Sequence, residues 1–313
     1  MTASPKSYST INAALAVALF LFFIMPLTAQ SQKSITAGTI LINEILFNPL
    51  PDGADYVELY NNSDMPIALS DLRLAKMDGD VIKKLYSVGK SDSVAAHDYI
   101  VVTTDAVYVS THYTVRFPSK MVEVSSMPSY SNAKGIVVVA TADSLILDRF
   151  DYNEKMHSTL LRDKEGVALE RRSFDIPTQQ ASNWYSAAST AGFGTPTSKN
   201  SQSREFLFVD NDFDMAQPLF SPDGDGYNDL LDITYSLSDC NLSCNIDIYD
   251  AHGHLVRRLL RGGLLGCEGV LTWDGTDEGG STCRQGNYLI VGEAYNSNGA
   301  RQSWRRRITL VSN

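Results

Sequence analysis

Tyr56-Val57-Glu58-Leu59-Tyr60, closed by the turn residues 61–64, is the stretch from which the fold is read. Val57 and Leu59 fall on one side of an extended chain and Tyr56, Glu58 and Tyr60 on the other, the period-two pattern of a strand with one apolar face. Working outward, residues 39–47 are rich in β-formers and stop at Asn48-Pro49, a turn signal. Residues 67–74 direct Ile67, Leu69, Leu72 and Leu74 inward, and 99–103 and 121–124 read as further short strands. Residues 135–140 and 145–150 form a hairpin across 141–144, and 166–170 adds one more strand. Nothing between residues 38 and 185 has a convincing helical period. Many short strands separated by turns predict a β-sandwich.

A second β-rich block follows residue 220, with strands expected at 230–238, 245–249, 255–260, 269–273, 287–294 and 303–311. Residues 250–254 and 296–299 are its turns. Between the blocks runs a polar stretch, 196–204, of Thr, Ser, Lys, Asn and Gln. The last lysine is Lys199 and all four cysteines come later, so composition changes across this stretch. The expected organisation is a signal peptide at 1–29, a first sandwich at 34–200, a linker at 201–219 and a second sandwich at 220–313.

The second block opens on Phe220-Ser221-Pro222-Asp223-Gly224-Asp225-Gly226-Tyr227-Asn228-Asp229-Leu230-Leu231-Asp232. A hard cation such as Ca²⁺ takes several oxygens at once, and carboxylates at nearly every second residue of a tight loop supply them. Gly224 and Gly226 let the backbone curl. Asp223, Asp225 and Asp229, with the Tyr227 carbonyl, are the expected Ca²⁺ ligands. The spacing is not that of an EF-hand: counted from Asp223, the bidentate-Glu position is Thr234 and the glycine position is Asn228. An Asp/Gly-rich turn that needs no metal remains the alternative. Strand parity places Asp274, Asp277 or Glu278 near the loop as a missing ligand.

At the N-terminus, Lys6, the apolar run 13–25 and the small-residue site Leu27-Thr28-Ala29 before Gln30 have the form of a secretory signal. Residues 11–27 are almost long enough to span a bilayer, but Pro26 and the polar residues after it favour cleavage, which leaves no stable membrane span. Cys240, Cys244, Cys267 and Cys283 then read as disulfides, with Cys240–Cys244 closing a hairpin preferred. A net charge of −10 argues against nucleic acid as a partner.

Ile42-Asn43-Glu44-Ile45, Asn48-Pro49 and Asp55-Tyr56-Val57-Glu58-Leu59-Tyr60-Asn61 resemble the opening of a lamin-tail domain. Val167-Ala168-Leu169-Glu170-Arg171, Trp184, Gly194-Thr195-Pro196 and Asn200 follow as later landmarks, although Asp71-Leu72 stands where that family usually shows Gly-Trp. The second block resembles immunoglobulin-like modules of the flagellar-hook-capping and gliding-associated C-terminal kind, found in exported Bacteroidetes-type proteins. The acidic loop, Ile248-Tyr249-Asp250 with Gly253, Trp273-Asp274-Gly275 and Gly286-Asn287-Tyr288 carry that resemblance. Both resemblances imply an all-β chain of two immunoglobulin-like β-sandwich domains. The second implies a sorting or attachment role linked to type IX secretion, although Arg305-Arg306-Arg307 stands where the sorting class often has lysines.

The chain has no Gly-x-Ser-x-Gly elbow, no His-Glu-x-x-His and no Gly-x-x-x-x-Gly-Lys. No catalytic residue and no organic cofactor is expected. The function expected is a non-enzymatic, exported binding or structural protein, secreted or at the cell surface, with an envelope protein or glycan as partner. An exported hydrolase, nuclease- or phosphatase-like, is the alternative. Glu44 and Glu58 offer the paired carboxylates of a glycosidase, but placement at an edge or rim of the sandwich is expected. Tyr56, Tyr60, Tyr108, Tyr113 and Tyr130 are a candidate binding face or ordinary strand residues. His252 and His254 are expected to be solvated turn residues, with metal binding the alternative, and Asp210, Asp212 and Asp214 an acidic edge strand, with an extension of the cation site the alternative.

Overall fold

The computed structural model describes residues 1–2, 35–207, 212–237, 242–295 and 301–311. The chain divides into two compact units, 1–34 and 35–313, and every described strand belongs to the second. The expected signal peptide, Asp210, Cys240 and the turn at 296–299 lie outside the described residues, apart from Met1 and Thr2.

The architecture is all-β and immunoglobulin-like. In the first sandwich a six-stranded sheet has the order Trp184–Ser186, Leu169–Arg171, Ile40–Leu46, Tyr56–Asn61, Tyr99–Thr103, Met121–Glu123. Only its last pair is parallel. Against it lies a four-stranded antiparallel sheet, Ile146–Asn153, Lys134–Thr141, Leu72–Asp78, Val81–Ser87. Ile40, Ile42, Val57, Leu59 and Val102 of the first sheet meet Leu72, Leu74, Val137, Val139 and Phe150 of the second in one core. Burial of these side chains, at roughly 1.5–3 kcal/mol each, is the main force holding the two sheets together.

The face of the larger sheet expected to meet water is covered too. Leu46, Tyr56, Val101 and Ala168 form a second apolar cluster there with Tyr108, Val109 and Tyr113. Tyr108 and Val109 belong to a short helix, Ala106–His112, which Asp105 caps by accepting the Tyr108 N–H at 2.8 Å. Sequence periodicity missed this helix because its seven residues, rich in β-branched types, are too short to show a period. All six residues of Tyr56–Asn61 are therefore buried, not every second one.

The second sandwich pairs a three-stranded antiparallel sheet with a five-stranded one. The first has the order Asp212–Asp214, Leu231–Ser236, Glu268–Trp273. The second runs Leu219–Phe220, Arg301–Leu310, Gly286–Tyr295, Leu242–Asp250, Leu255–Leu265. Phe213, Phe220, Ile233 and Trp273 pack on Ile246, Ile248, Ile290 and Leu310 in a separate core. Asp212 and Asp214 lie on an edge strand as expected, and Asp212 pairs with Arg306 at 2.7 Å.

The expected Cys240–Cys244 bridge is corrected: Cys244 is a free thiol. Its strand alternates, and residue 244 falls on the inward face with Ile246 and Ile248, fully buried in the core. Cys283 is also free, whereas Cys267 is disulfide-bonded.

Candidate functional site

The acidic loop folds as its composition demands. Gly224 and Gly226 adopt positive φ, and so does Asn228, a residue type that tolerates the left-handed region. Asp229 is the buried pivot. Its two carboxylate oxygens accept the Gly224 and Gly226 N–H groups at 2.7 and 2.8 Å. Asp223 accepts the Asp225 N–H at 3.2 Å, and Asp225 accepts the Tyr227 N–H at 2.7 Å. Burial raises the Asp229 carboxyl above the usual carboxylate range, against the pull of those two amides. The loop brings Asp223, Asp225 and Asp229 together, with one carboxylate oxygen of each within 4.8 Å of the others. Ca–O bonds of about 2.3–2.6 Å put opposed ligands about 5 Å apart. The three oxygens thus fit inside one Ca²⁺ coordination sphere. The Tyr227 side chain is 65% exposed.

The loop is also a contact between the two sandwiches. Ser189 donates its N–H and its hydroxyl to the Gly224 carbonyl, at 3.0 and 2.8 Å. The Thr190 hydroxyl donates to the Asp225 carbonyl. A Cβ on Gly226 would lie 2.7 Å from Ala188 Cβ, so only glycine permits this approach. Beside the loop, the Arg172 guanidinium grips Asp232 with two parallel bonds of 2.8 and 2.5 Å. Gln180 and Ser182 both donate to the Val270 carbonyl at 2.9 Å. Arg171, the preceding residue, points the opposite way and pairs with Asp148 at 3.0 Å inside the first sandwich.

Asp274, Asp277 and Glu278 do not complete the loop. Asp274 bonds Thr159 and Thr276. Asp277 and Glu278 are drawn to the strand Leu255–Leu265: Arg257 donates to the Asp277 carbonyl and the Arg258 N–H donates to Glu278. There they line a cleft with Asp250, His252 and His254.

The edge or rim placement of Glu44 and Glu58 is corrected as well. Both are fully buried, as is Glu170. Strand register explains why: Glu44 sits opposite Glu58 on one neighbour and opposite Glu170 on the other, so three carboxylates form a row across three strands. Segment 195–202 closes over that row. Glu58 accepts from Asn43 Nδ2 at 2.7 Å and from the Thr197 N–H at 2.5 Å. Glu170 Oε2 accepts from Ser201 Oγ and the Gln202 N–H, both at 2.8 Å. Glu44 Oε1 accepts from the Tyr56 hydroxyl and from the Thr195 N–H. The Thr195 hydroxyl lies 2.9 Å from Glu44 Oε2 and 2.7 Å from Glu170 Oε1. One hydroxyl carries one hydrogen. The other contact requires a proton on a carboxyl, and burial together with the Glu170 charge pushes Glu44 up to about 8. Burial likewise raises Glu58 and Glu170. The row is closed off from solvent.

The five tyrosines form no exposed face. Tyr56, Tyr60, Tyr108, Tyr113 and Tyr130 are all at most 9% exposed.

Among the described residues no helix is long and apolar enough to cross a membrane. No curated protein matches the chain. Similar solved structures include dimeric latent PorU from Porphyromonas gingivalis, at 12% identity and a TM-score of 0.26, covering 88% of this chain and 20% of that one. A tetra-tandem repeat from the extending region of a large adhesion protein matches at 12% identity and 0.22, over 88% of this chain and 49% of that one. PorZ of P. gingivalis, described as an essential surface component of the type-IX secretion system, matches at 12% and 0.23, over 85% and 30%. The chain spans a fifth to a half of those proteins, and TM-scores this low carry no argument about role. A family model described as Lamin Tail Domain matches residues 33–174, the segment that holds the motifs at 42–45 and 55–61.

Proposed function

We propose that the protein is a non-enzymatic, exported structural or binding protein, secreted or held at the cell surface, in which the lamin-tail sandwich serves as a spacer or binding module. The second sandwich serves as a sorting or attachment module, a reading supported by its resemblance to gliding-associated and hook-capping modules and consistent with export by type IX machinery. Its partner is an envelope protein or glycan. Ca²⁺ held by Asp223, Asp225 and Asp229 with the Tyr227 carbonyl stiffens the junction. The observation that supports this most is the docking of the acidic loop: its own carbonyls are bonded to Ser189 and Thr190 of the first sandwich. A cation that fixes the loop therefore fixes the angle between the modules. Thermal melting in EDTA and in added Ca²⁺ tests it. A ligand at about 100 times its Kd stabilises by about 2.7 kcal/mol, which raises the melting temperature by roughly 4 °C in a chain of this size. Identical melting points remove the metal.

One observation favours the hydrolase alternative: the cleft where His252 and His254 meet Asp277 and Glu278. The two histidine side chains are 82% and 79% exposed, which is not the water-excluded setting that strengthens transition-state electrostatics. Turnover of an ester, glycoside or phosphodiester that stops in His252→Ala would put this reading first.

A further inference from the structure

The turn joining Leu242–Asp250 to Leu255–Leu265 reads Ala251-His252-Gly253-His254, and the structure gives it more than a connecting role. Gly253, at φ +84°, lets the chain reverse so that both imidazoles return to the carboxylate that begins the turn. Asp250 Oδ1 accepts the His252 and His254 N–H groups at 2.8 and 2.9 Å. Oδ2 faces the rings, 3.1 Å from His254 Nδ1 and 3.9 Å from His252 Nδ1. The rings lie 29° from parallel with centroids 6.1 Å apart. One donor atom from each of the three residues falls within 4.8 Å of the others.

We infer that Asp250, His252 and His254 form a binding site for a divalent transition-metal ion of the zinc class, bordering the cleft they share with Asp277 and Glu278. Two imidazoles and one carboxylate are the donor set of zinc, copper or nickel; Ca²⁺ and Mg²⁺ prefer oxygen alone. Zinc bound at about 2.0–2.1 Å in tetrahedral geometry spaces its ligand atoms about 3.4 Å apart. The 3.1 and 3.9 Å separations bracket that value, so small rotations of two exposed rings suffice to close the site. The cleft, about 720 Å³, is lined by Asp250, Asp277 and Glu278 with Arg284, and Arg257 reaches the Asp277 carbonyl, so carboxylates outnumber guanidiniums there, a balance that favours a cation. Three protein ligands leave at least one coordination position for water or for a donor from another molecule.

The test is equilibrium dialysis of the full chain against Zn²⁺, with Ca²⁺ as a parallel arm, on wild type, on His252→Ala/His254→Ala and on Asp223→Asn/Asp225→Asn. Loss of a ligand's supporting partner alone costs about 10–100-fold in affinity, so losing two ligands should weaken Zn²⁺ binding by at least about 100-fold. The acidic-loop variant should bind Zn²⁺ as wild type does. Failure of that variant to bind Ca²⁺ would concern only the junction between the sandwiches. Co²⁺ in place of Zn²⁺ should give a visible spectrum that disappears in the histidine variant. Absence of stoichiometric Zn²⁺ binding, or equal affinity in the histidine variant, overturns the site.

Discussion

Glu44→Gln should change how stability depends on pH while leaving the fold intact. A glutamine reproduces the protonated glutamic acid at this position: Oε1 still accepts from the Tyr56 hydroxyl and the Thr195 N–H, and Nε2–H donates to the Thr195 hydroxyl, which passes its own hydrogen to Glu170. In the wild type that hydrogen comes from a carboxyl whose pKa rises from 4.5 unfolded to about 8 folded. A raised pKa contributes stability that is fully present below pH 4.5 and lost as pH rises through about 8. Within that window the native chain holds one more proton than the unfolded chain, and stability falls by about 1.4 kcal/mol per pH unit on this account. From pH 5 to pH 8 the wild type should lose about 4 kcal/mol that Glu44→Gln does not lose. Urea titrations of both proteins at pH 5, 6, 7 and 8 read the difference, which includes the push that the Glu44 charge gives to its neighbour Glu58. Glu44→Ala is the control. It strands the Tyr56 and Thr195 donors in the interior and should destabilise by about 3 kcal/mol or more at every pH. Parallel profiles for wild type and Glu44→Gln would refute the shared-proton arrangement.

Arg172→Ala should leave Asp232 without its buried partner, cost about 3 kcal/mol, and split calorimetric unfolding into two transitions, one per sandwich. A single undisturbed transition would show that the clamp does not couple them. Gly226→Ala forces a side chain into a φ of +90° and to within 2.7 Å of Ala188 Cβ. It should cost about 2 kcal/mol and expose the Gly224 and Gly226 amides to hydrogen exchange, whereas unchanged protection would mean that the loop docks differently. Without reductant, peptide mapping after alkylation in denaturant should label Cys244 and Cys283 but not Cys267. In the native state Cys244 should stay unlabelled, being fully buried with its thiol pushed up to about 11. Burial, with a smaller push from Lys164, lowers His157 to about 4. It stays neutral in the folded state, and its contribution to stability is lost as pH falls from 6.5 toward 4. Its NMR titration should have a midpoint near 4, and a midpoint near 6.5 would place the ring in water.

Strand positions were legible because runs of β-formers between turn signals are a local property: Ile40–Leu46, Tyr99–Thr103 and the hairpin Lys134–Thr141 with Ile146–Asn153 lie where those runs put them. The second face of the larger sheet was not legible. Polar alternation at Tyr56, Glu58 and Tyr60 normally marks a wet face, and here it marks a face covered by Ala106–His112 and by segment 195–202, which is far away in sequence. Glu44 and Glu58 misled for the same reason. Their meaning depends on a register in which Asn43 bulges out and sets Glu44 opposite Glu58, and on Glu170 arriving as the next strand. The acidic loop was readable as a carboxylate cluster, since its spacing is local. Its docking on Ser189 and Thr190 was not, since a hydrogen bond accepted by a backbone carbonyl leaves no trace in the residue type that provides it. The histidines of the Asp250 turn read as solvated from sequence alone. What raises their standing is the return of both rings to one carboxylate, which follows from the left-handed Gly253.

The polar stretch 196–204 has the composition of a tether, yet Thr197, Asn200 and Gln202 are almost wholly buried. Its polarity is spent on the interior. Thr195, Thr197, Ser201 and Gln202 supply the donors that three buried carboxylates need, and Asn200 donates to the Asn43 and Arg171 carbonyls at 2.9 and 2.8 Å. Gln202 stands beside two clusters at once: its N–H donates to Glu170, and its side chain pulls the Asp229 carboxyl, the pivot of the acidic loop, downward against burial. Two residues on, the Arg204 N–H donates at 2.7 Å to the carbonyl of Arg172, whose side chain holds Asp232. A segment fixed this often has no slack to act as a hinge. Bending the second sandwich away from the first would have to break the Ser189 and Thr190 bonds to the loop and the Arg172 pair together, uncovering an acidic loop and a buried guanidinium in the same motion. The junction is therefore a stiff one from the chain's own bonds, and a cation at Asp223, Asp225 and Asp229 would reinforce a geometry already set.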